Sequence, residues 1–298
     1  LPLAVRQDRW FYARSFSATR TFTNMPILKR LTDLYESRGI QISTGLNPCH
    51  FGNLPSAAFT WFIKDGESLT NGLGIAMQEV YFLECLFTRF KPKSIFIIGN
   101  SAGWSSFALA LLNPQARCVA IDAGFDRNAL EGLDFTNRVA AEEGLDLRAV
   151  KAVSPDGVAS VVAEHMTEKI DFAFIDGYHT VEQVVRDFAV LRDHADPACV
   201  YLFHDVHEFK LGPGIAENVA RSGLASDLLL GTSSGMAIIY DPIRLPFLAA
   251  EISPFRAHPE SLALLEAEVW KSRHRRAARF KRSIDKRKAW LKRRFAFG

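Results

Sequence analysis

The sequence predicts an α/β fold: a doubly wound, mainly parallel sheet with helices on both faces. Three observations carry the prediction. From Ser94 to Asp205, apolar runs of strand length alternate with longer segments of helical period. That order places parallel strands in one sheet and helices over it. The stretch Ser94 to Asp122, SIFIIGNSAGWSSFALALLNPQARCVAID, reads as strand, glycine turn, helix, strand and terminal acid. A turn-rich link, GTSSG, joins Asp227–Leu230 to Met236–Tyr240 as an antiparallel hairpin at a sheet edge.

Taken in order, residues 1–24 are rich in arginine and aromatics without a clean period and read as an arm. Asn24 caps a helix with Pro26 in its first turn, Ile27, Leu31 and Leu34 on its apolar face and Gly39 at its end. Ser43 to Pro55 is a loop of breakers, Ala57 to Ile63 a short apolar segment, and Gly66 to Gly74 a second loop. Ile75 to Phe90 is helical, with Met77, Tyr81, Leu83 and Leu86 among its apolar residues. It either folds over a ligand or covers the sheet. Strands follow at 94–99, 117–122, 147–153, 170–176 and 199–205, with helices at 104–112, 127–143, 156–166 and 180–194. The spacing suits right-handed crossovers. Past Pro242, three prolines mark a linker, and Ser261 opens a long helix with Ala277, Phe280, Ile284, Leu291 and Phe295 on one side. The organisation expected is an arm and helical cap (1–74), the α/β domain (75–242), and a linker with a basic helix (243–298).

The chain has 298 residues, 48% hydrophobic and 23% charged, the balance of a globular protein. No apolar run approaches the ~20 residues of a membrane span, and LPLAVRQDRWFYARSF lacks the apolar core of a secretory leader. Cys49, Cys85, Cys118 and Cys199 are widely spaced with no CxxC pair, which argues against a zinc ribbon or disulfide framework and for a reducing cytoplasm. From Lys271 onward, thirteen Lys and Arg face one acid, Asp285; the rest of the chain, with 23 cations and 32 acids, carries −9. That tail points to an anionic membrane surface, an acidic partner, a second subunit or nucleic acid.

Three places carry chemistry. The unit from Ser94 to Asp122 is how a doubly wound domain holds an adenosine-containing cofactor, with Gly99 and Gly103 at the turn and Asp122 placed for ribose hydroxyls. Its G-x-x-x-G is less than the G-x-G-x-x-G of dinucleotide sites, which disfavours a nicotinamide oxidoreductase. In IDFAFIDGYHTVEQVVRDF, Asp176 ends an apolar strand, Gly177 turns and His179 starts a helix. In CVYLFHDVHEF, another strand ends in His204, Asp205 and His207. If these strands are neighbours, Asp176, His179, His204 and Asp205 converge on one rim, as a divalent-metal site or as a base with its orienting carboxylate.

KPKSIFIIGNSAGWSS, the acid of VAIDA, FIDGYHTVEQVVRDF and LFHDV agree in order and spacing with one family. Residues from about 75 to 241 resemble the class I S-adenosylmethionine-dependent methyltransferases, and more narrowly the bacterial small-molecule type with IDGxH and HD elements (methyltransferase family 24). The resemblance implies a seven-stranded Rossmann-like sheet whose last strand is antiparallel. It implies that Gly99, Asn100, Ser101, Ala102, Gly103, Trp104 and Ser105 surround the methionine part of the cofactor and that Asp122 binds the ribose hydroxyls, with Ala123 also in the cofactor site. Ser154 would flank the adenine, and Asp176, Gly177 and His179 would lie at the mouth. The chain departs from the family at Ile97, Ser101 and Tyr178, where an acid, a glycine and an acid are common.

The activity implied is O-methylation of a small molecule or glycan, with His179 or His204 as base, or with a divalent ion such as Mg²⁺ held by Asp176 and Asp205. The alternatives are a nucleic-acid methyltransferase using the basic tail and a non-catalytic scaffold with a degenerate cofactor site.

Overall fold

The computed structural model describes residues 25–70 and 74–294. The arm read at 1–24, with Asn24, and Phe295 lie outside the described residues, as do the side chains of Ala277, Phe280 and Leu291. Helix α1 (Ile27–Glu36) starts directly after Pro26, buries Ile27, Leu31, Leu34 and Tyr35, and gives way to Gly39 in the left-handed region (φ +78°). Next comes a feature the sequence reading lacked. A small antiparallel sheet of β1 (Gln41–Ser43), β2 (Trp61–Lys64) and β3 (Glu67–Ser68) spans the two expected loops. Strands of two to four residues are too short for alternation to show.

Helix α2 (Met77–Arg89) leads into the main sheet, whose strands are β4 (Ser94–Ile98), β5 (Arg117–Asp122), β6 (Leu147–Lys151), β7 (Ile170–Ile175), β8 (Ala195–Phe203), β9 (Ala225–Leu229) and β10 (Met236–Tyr240). The order is β6-β5-β4-β7-β8-β10-β9, with β10 antiparallel to both neighbours and the first five strands parallel. The expected seven-stranded, mainly parallel sheet is therefore present, with β10 inserted inside the edge that β9 forms. Strand β8 starts earlier than its apolar run predicts. Ala195 pairs with Ile170, and the register then shifts so that Val200 pairs with Phe172. Asp196 and Pro197 sit in that irregularity, where a proline is tolerated.

Both faces of the sheet are covered, so its central strands are apolar throughout. Ile95, Ile97, Phe172, Phe174, Val200 and Leu202 face one cluster with α1, α2 and α3 (Trp104–Leu112). Phe96, Ile98, Ala173, Ile175, Tyr201 and Phe203 face the other, against α5 (Val158–His165), α6 (Val181–Asp193) and α7 (Gly212–Ser222). Helix α4 (Ala129–Glu143) adds Leu133, Val139 and Ala140 to the first cluster. Helix α7 was not among the expected helices; it opens on Gly212, Pro213 and Gly214, and proline is well accommodated in a first turn. The stretch read as a linker packs instead. In α8 (Leu248–Ile252) and just after it, Leu248, Ile252 and Phe255 are buried, and the Phe255 ring meets Phe82 edge-on at 4.9 Å.

The last helix, α9 (Pro259–Arg294), runs 36 residues, about 54 Å at 1.5 Å per residue. Of its described side chains, Leu262 is half-buried and the rest are exposed. Among the described residues, no helix is long and apolar enough to cross a membrane.

Candidate active site

Parallel ladders set the site. The Gly99 amide donates to the Ile121 carbonyl (2.9 Å), Asp176 to Ile98 (2.8 Å), His204 to Ile175 (3.0 Å) and Ala152 to Asp122 (3.0 Å). Five neighbouring strands therefore end level, and their next residues emerge on one rim, where ligands gather in open α/β sheets. The turn 99–103, Asp122, Ser154, Asp176, Gly177, His179, His204 and Asp205 all belong to this edge.

The glycines of the turn are demanded by the chain itself. Gly99 (φ +97°) lies against the Asp176 carbonyl oxygen and Gly103 (φ +85°) against Thr136 Oγ1, so a Cβ at either would overlap its neighbour. Asp122 binds the turn from the side. Its Oδ2 accepts from the amides of Asn100 (3.0 Å) and Ser101 (2.8 Å), and its Oδ1 from Gly124 (2.8 Å). Asn100 is a buried staple, donating to the Ser101 carbonyl and Thr136 while accepting from Ser106. Ala102 has its carbonyl held by the Tyr35 hydroxyl at 2.8 Å. Trp104 and Ser105 turn inward. Trp104 is 2% exposed, donates to the Ile75 carbonyl and packs against the tilted Tyr35 ring and edge-on to Phe62. Its side chain therefore belongs to the core and does not reach a ligand.

Two cavities flank the turn. One, about 470 Å³, lies over the strand ends between Gly99, Asp122, Ala123, Ser154, Asp176 and Gly177, with Ile98, Ile121 and Val153 as apolar walls and Phe125 and Tyr178 exposed at its mouth. Its floor holds Gln183 and Asp187 of α6. Burial raises the Asp187 carboxyl above its ordinary value, against the pull of hydrogen bonds from Ser154 and Gln183. The other cavity, about 480 Å³, lies behind Ala102 against Tyr35, Phe62 and Phe135.

At the rim stands a ring of alternating charge. His179 Nε2 is 3.2 Å from Asp176 Oδ1 and 3.5 Å from Asp205 Oδ2. His204 Nδ1 is 3.1 Å from both Asp176 Oδ1 and Asp205 Oδ1, squarely aligned with neither, so this contact is ionic rather than a directed hydrogen bond. Its Nε2 meets Glu79 Oε2 at 3.0 Å. Glu79, fully buried at the start of α2, also accepts from the Ala76 amide (2.7 Å) and from the amide and hydroxyl of Ser234. Asp205 reaches the ring from a left-handed backbone (φ +57°), a conformation aspartate tolerates at a cost.

Burial opposes charge on His204, but Asp176 and Glu79 outweigh it and hold the imidazole well above its ordinary value. Burial pushes Glu79 up, and His204 with Ser234 brings it below the ordinary carboxylate value; Asp176 is held down in the same way, chiefly by His204. The expectation of His204 as base is corrected: it is a buried cation with both nitrogens turned to carboxylates. His179 differs. It is a quarter exposed, and Asp176 and Asp205 raise it above its ordinary value although burial pulls the other way. The Phe209 ring lies over it at 4.6 Å.

Asp176, His179 and Asp205 also offer one nitrogen and two oxygens within 4.8 Å of one another, a set able to hold a metal ion. Glu79, Gln183, Asp187 and Phe209 were missing from the sequence reading. Glu79 and Asp187 each left one signal, an acid in register with an apolar helical stripe.

A family model described as a methyltransferase domain matches residues 96–206, from β4 through the end of β8. A search of the curated proteins finds no match. Among solved structures, an O-methyltransferase from Bacillus cereus in complex with SAH is 17% identical, covering 56% of this chain and 82% of its own, with a TM-score of 0.46. A methyltransferase from Geobacter sulfurreducens is 14% identical over 72% of this chain and 88% of its own, with a TM-score of 0.45. A precorrin 8W decarboxylase from Methanobacterium thermoautotrophicum is 17% identical over 58% and 92%, with a TM-score of 0.43. Likenesses of this size carry no residue roles and no substrate.

Proposed function

We propose that this chain, whose residues 96–206 match a methyltransferase-domain model, methylates a hydroxyl of a small molecule or glycan using S-adenosylmethionine. One observation supports this most: Asp176 both lines the 470 Å³ cavity and orients His179. A nucleoside site and a proton acceptor thus share a residue. The cavity falls in the size range of small-molecule sites. After these backbone contacts Asp122 Oδ1 keeps a lone pair for a ribose hydroxyl.

Bound S-adenosylmethionine supplies an electrophilic methyl on a sulfonium, whose departure as a neutral thioether needs no acid. What the protein supplies is placement and a proton acceptor. With its proton on Nε2, facing Asp176 and Asp205, His179 leaves Nδ1 free. Nδ1 takes the hydroxyl proton as the acceptor oxygen takes the methyl. Asp176 fixes that tautomer and stabilises the imidazolium formed. His204 and Glu79 hold Asp176 and Asp205 from beneath, and Phe209 shields the His179 ring from water. A divalent ion at Asp176, His179 and Asp205 would instead lower the acceptor's pKa at the same place, and it would occupy Nε2. One imidazole beside two carboxylates suits Mn²⁺ or Zn²⁺ at least as well as Mg²⁺.

Calorimetric titration with S-adenosylhomocysteine tests the reading, and no binding at millimolar ligand overturns it. With an acceptor in hand, His179→Asn is expected to lower turnover by about 10²–10⁴ while leaving that binding within a few-fold. Full activity in excess EDTA eliminates the metal route.

The strongly basic α9, whose described side chains other than Leu262 are exposed, supports a second role, docking the enzyme to an anionic lipid surface. Flotation with anionic but not neutral vesicles, lost on deleting residues 271–298, is the expected result. Retention of an RNA probe without vesicle binding would move the role to nucleic acid.

A further inference from the structure

Between β1 and β2 the chain makes a closed loop, residues 45–58, whose ends are tied by the Gly45 amide donating to the Ala58 carbonyl at 3.0 Å. Its sequence, GLNPCHFGNLPSAA, holds no Asp, Glu, Lys or Arg. At the chain's 23% charged content, fourteen residues would hold about three. Yet the loop is at the surface: Phe51 is 50% exposed, Leu54 49% and Leu46 38%, and Ala57 is its one buried residue. Surface loops are ordinarily polar, so one that carries apolar side chains and no charge marks a contact.

The backbone of the loop is suited to leaving water. Two short 3₁₀ turns, Pro48–Phe51 and Pro55–Ala58, keep its donors occupied from within. The amide of His50 donates to Asn47, Asn53 to Pro48, Leu54 to Phe51 and Ala57 to Leu54, at 2.9–3.2 Å. The Cys49 amide donates to the Asn47 side chain at 3.0 Å. Pro48 and Pro55 have no N–H to leave unpaired.

The loop is rooted beside the candidate active site. Gly45 lies against Met77, which opens α2 two residues before Glu79, and the ring of Phe59, the first residue past the loop, is 6.4 Å from His204. Glu79 accepts from the Ser234 amide, and the same turn holds the segment leading into α9 through the Gly231 amide, which donates to the Phe255 carbonyl at 2.8 Å. An uncharged apolar loop and a tail of thirteen cations therefore spring from one edge of the body. An anionic bilayer accepts both, cations at its headgroups and apolar side chains at the acyl boundary.

We infer that the loop 45–58 is a membrane-insertion element, with Phe51 and Leu54 entering the headgroup–acyl boundary of an anionic bilayer while α9 lies on its surface. The inference rests on the lipid-docking role of α9 for its partner and adds to it the element that enters the membrane.

Cys49, exposed within the loop, serves as the reporter, in a Cys85→Ala chain where the two other thiols are buried. It is labelled with an environment-sensitive fluorophore and mixed with vesicles of phosphatidylglycerol and phosphatidylcholine. The emission is expected to shift to shorter wavelength on binding. In unlabelled protein, Phe51→Ser together with Leu54→Ser is expected to weaken partition onto the same vesicles at least tenfold, with thermal unfolding unchanged because both side chains are half-exposed. A chain that floats with the vesicles while its label does not shift overturns the inference and leaves the role of α9 standing. A folded double variant weakened by less than tenfold does the same. A shift that appears without vesicles as protein concentration rises assigns the loop to a contact between copies and also overturns it. If the double variant does not fold, the label decides alone. A full chain that does not float at all removes the role given to α9 as well, so the two failures are told apart.

Discussion

Glu79→Gln removes a charge beneath the candidate active site without changing its shape. Every group around this side chain is a donor or can act as one: the Ala76 amide and His204 Nε2 at Oε2, the Ser234 amide and hydroxyl at Oε1. Whichever way a glutamine amide turns, its NH₂ faces an N–H. With the amide toward Ser234 the hydroxyl can rotate, but the Ser234 N–H is orphaned, at about 1–3 kcal/mol. Breaking a buried pair costs about 3–5 kcal/mol when the charge left behind has no other partner. Here Asp176 and Asp205 still face His204, so that part is reduced. A total of about 3 kcal/mol is expected, or roughly 6–12 °C in Tm for a domain of this size. The sign with pH is fixed by the two shifts. His204 is raised from its ordinary 6.5, so its contribution is complete below that value and lost as pH rises through the folded-state value. Glu79 is lowered from 4.5, so its contribution is complete above that value and lost as pH falls through the folded-state value. The gap between wild type and variant should therefore be widest near pH 6 and narrow on the alkaline side. Thermal unfolding followed by circular dichroism from pH 5 to pH 10 measures it. A difference under 2 °C at pH 6, or a gap that widens as pH rises, would refute the account of a buried, charged His204.

Gly99→Ala forces a Cβ onto the Asp176 carbonyl at a left-handed backbone position; a loss of at least the ~1–3 kcal/mol of local backbone strain is expected in urea unfolding, and unchanged stability would count against the close approach of β4 and β7. Because His179 is raised above its ordinary value and must be unprotonated to act, activity should climb with pH along a limb centred above 6.5. A limb centred at 6 or below would remove His179 from that role. Of the four thiols, Cys49 is exposed and Cys85 half-buried, while burial pushes Cys118 and Cys199 up. Ellman titration of the native chain should count no more than two, the other two appearing only in denaturant.

The strands of the main sheet were legible because burial on both faces leaves little but apolar residues between charged ends. Asp122, Asp176 and Asp205 stood out for the same reason, each where such a run stops. The convergence of Asp176, His179, His204 and Asp205 followed from β7 and β8 being neighbours, which the crossover rule made the natural guess. The function of His204 was not legible, because what decides it, Glu79, is 125 positions away in sequence. Yet Glu79 falls four residues before Leu83 and seven before Leu86, on a face otherwise given to the core. Asp187 falls between Val184 and Leu191 in the same way. An acid in such register is a sign of a buried partner or ligand. Trp104 and Ser105 erred in the opposite sense: proximity to a glycine turn in sequence said nothing of which way the first helical turn would point them.

Tyr35 bears on how this chain can be divided. Its ring lies 5.3 Å from Phe62 and 5.4 Å from Trp104, and its hydroxyl is fastened to the loop that follows the first long strand. A protein trimmed to begin at residue 75 would lose Tyr35 and Phe62 from the face of Trp104 at once, baring the indole. The main sheet is walled on that side by what precedes it, so a cut before Ile75 opens the core rather than freeing a self-contained domain.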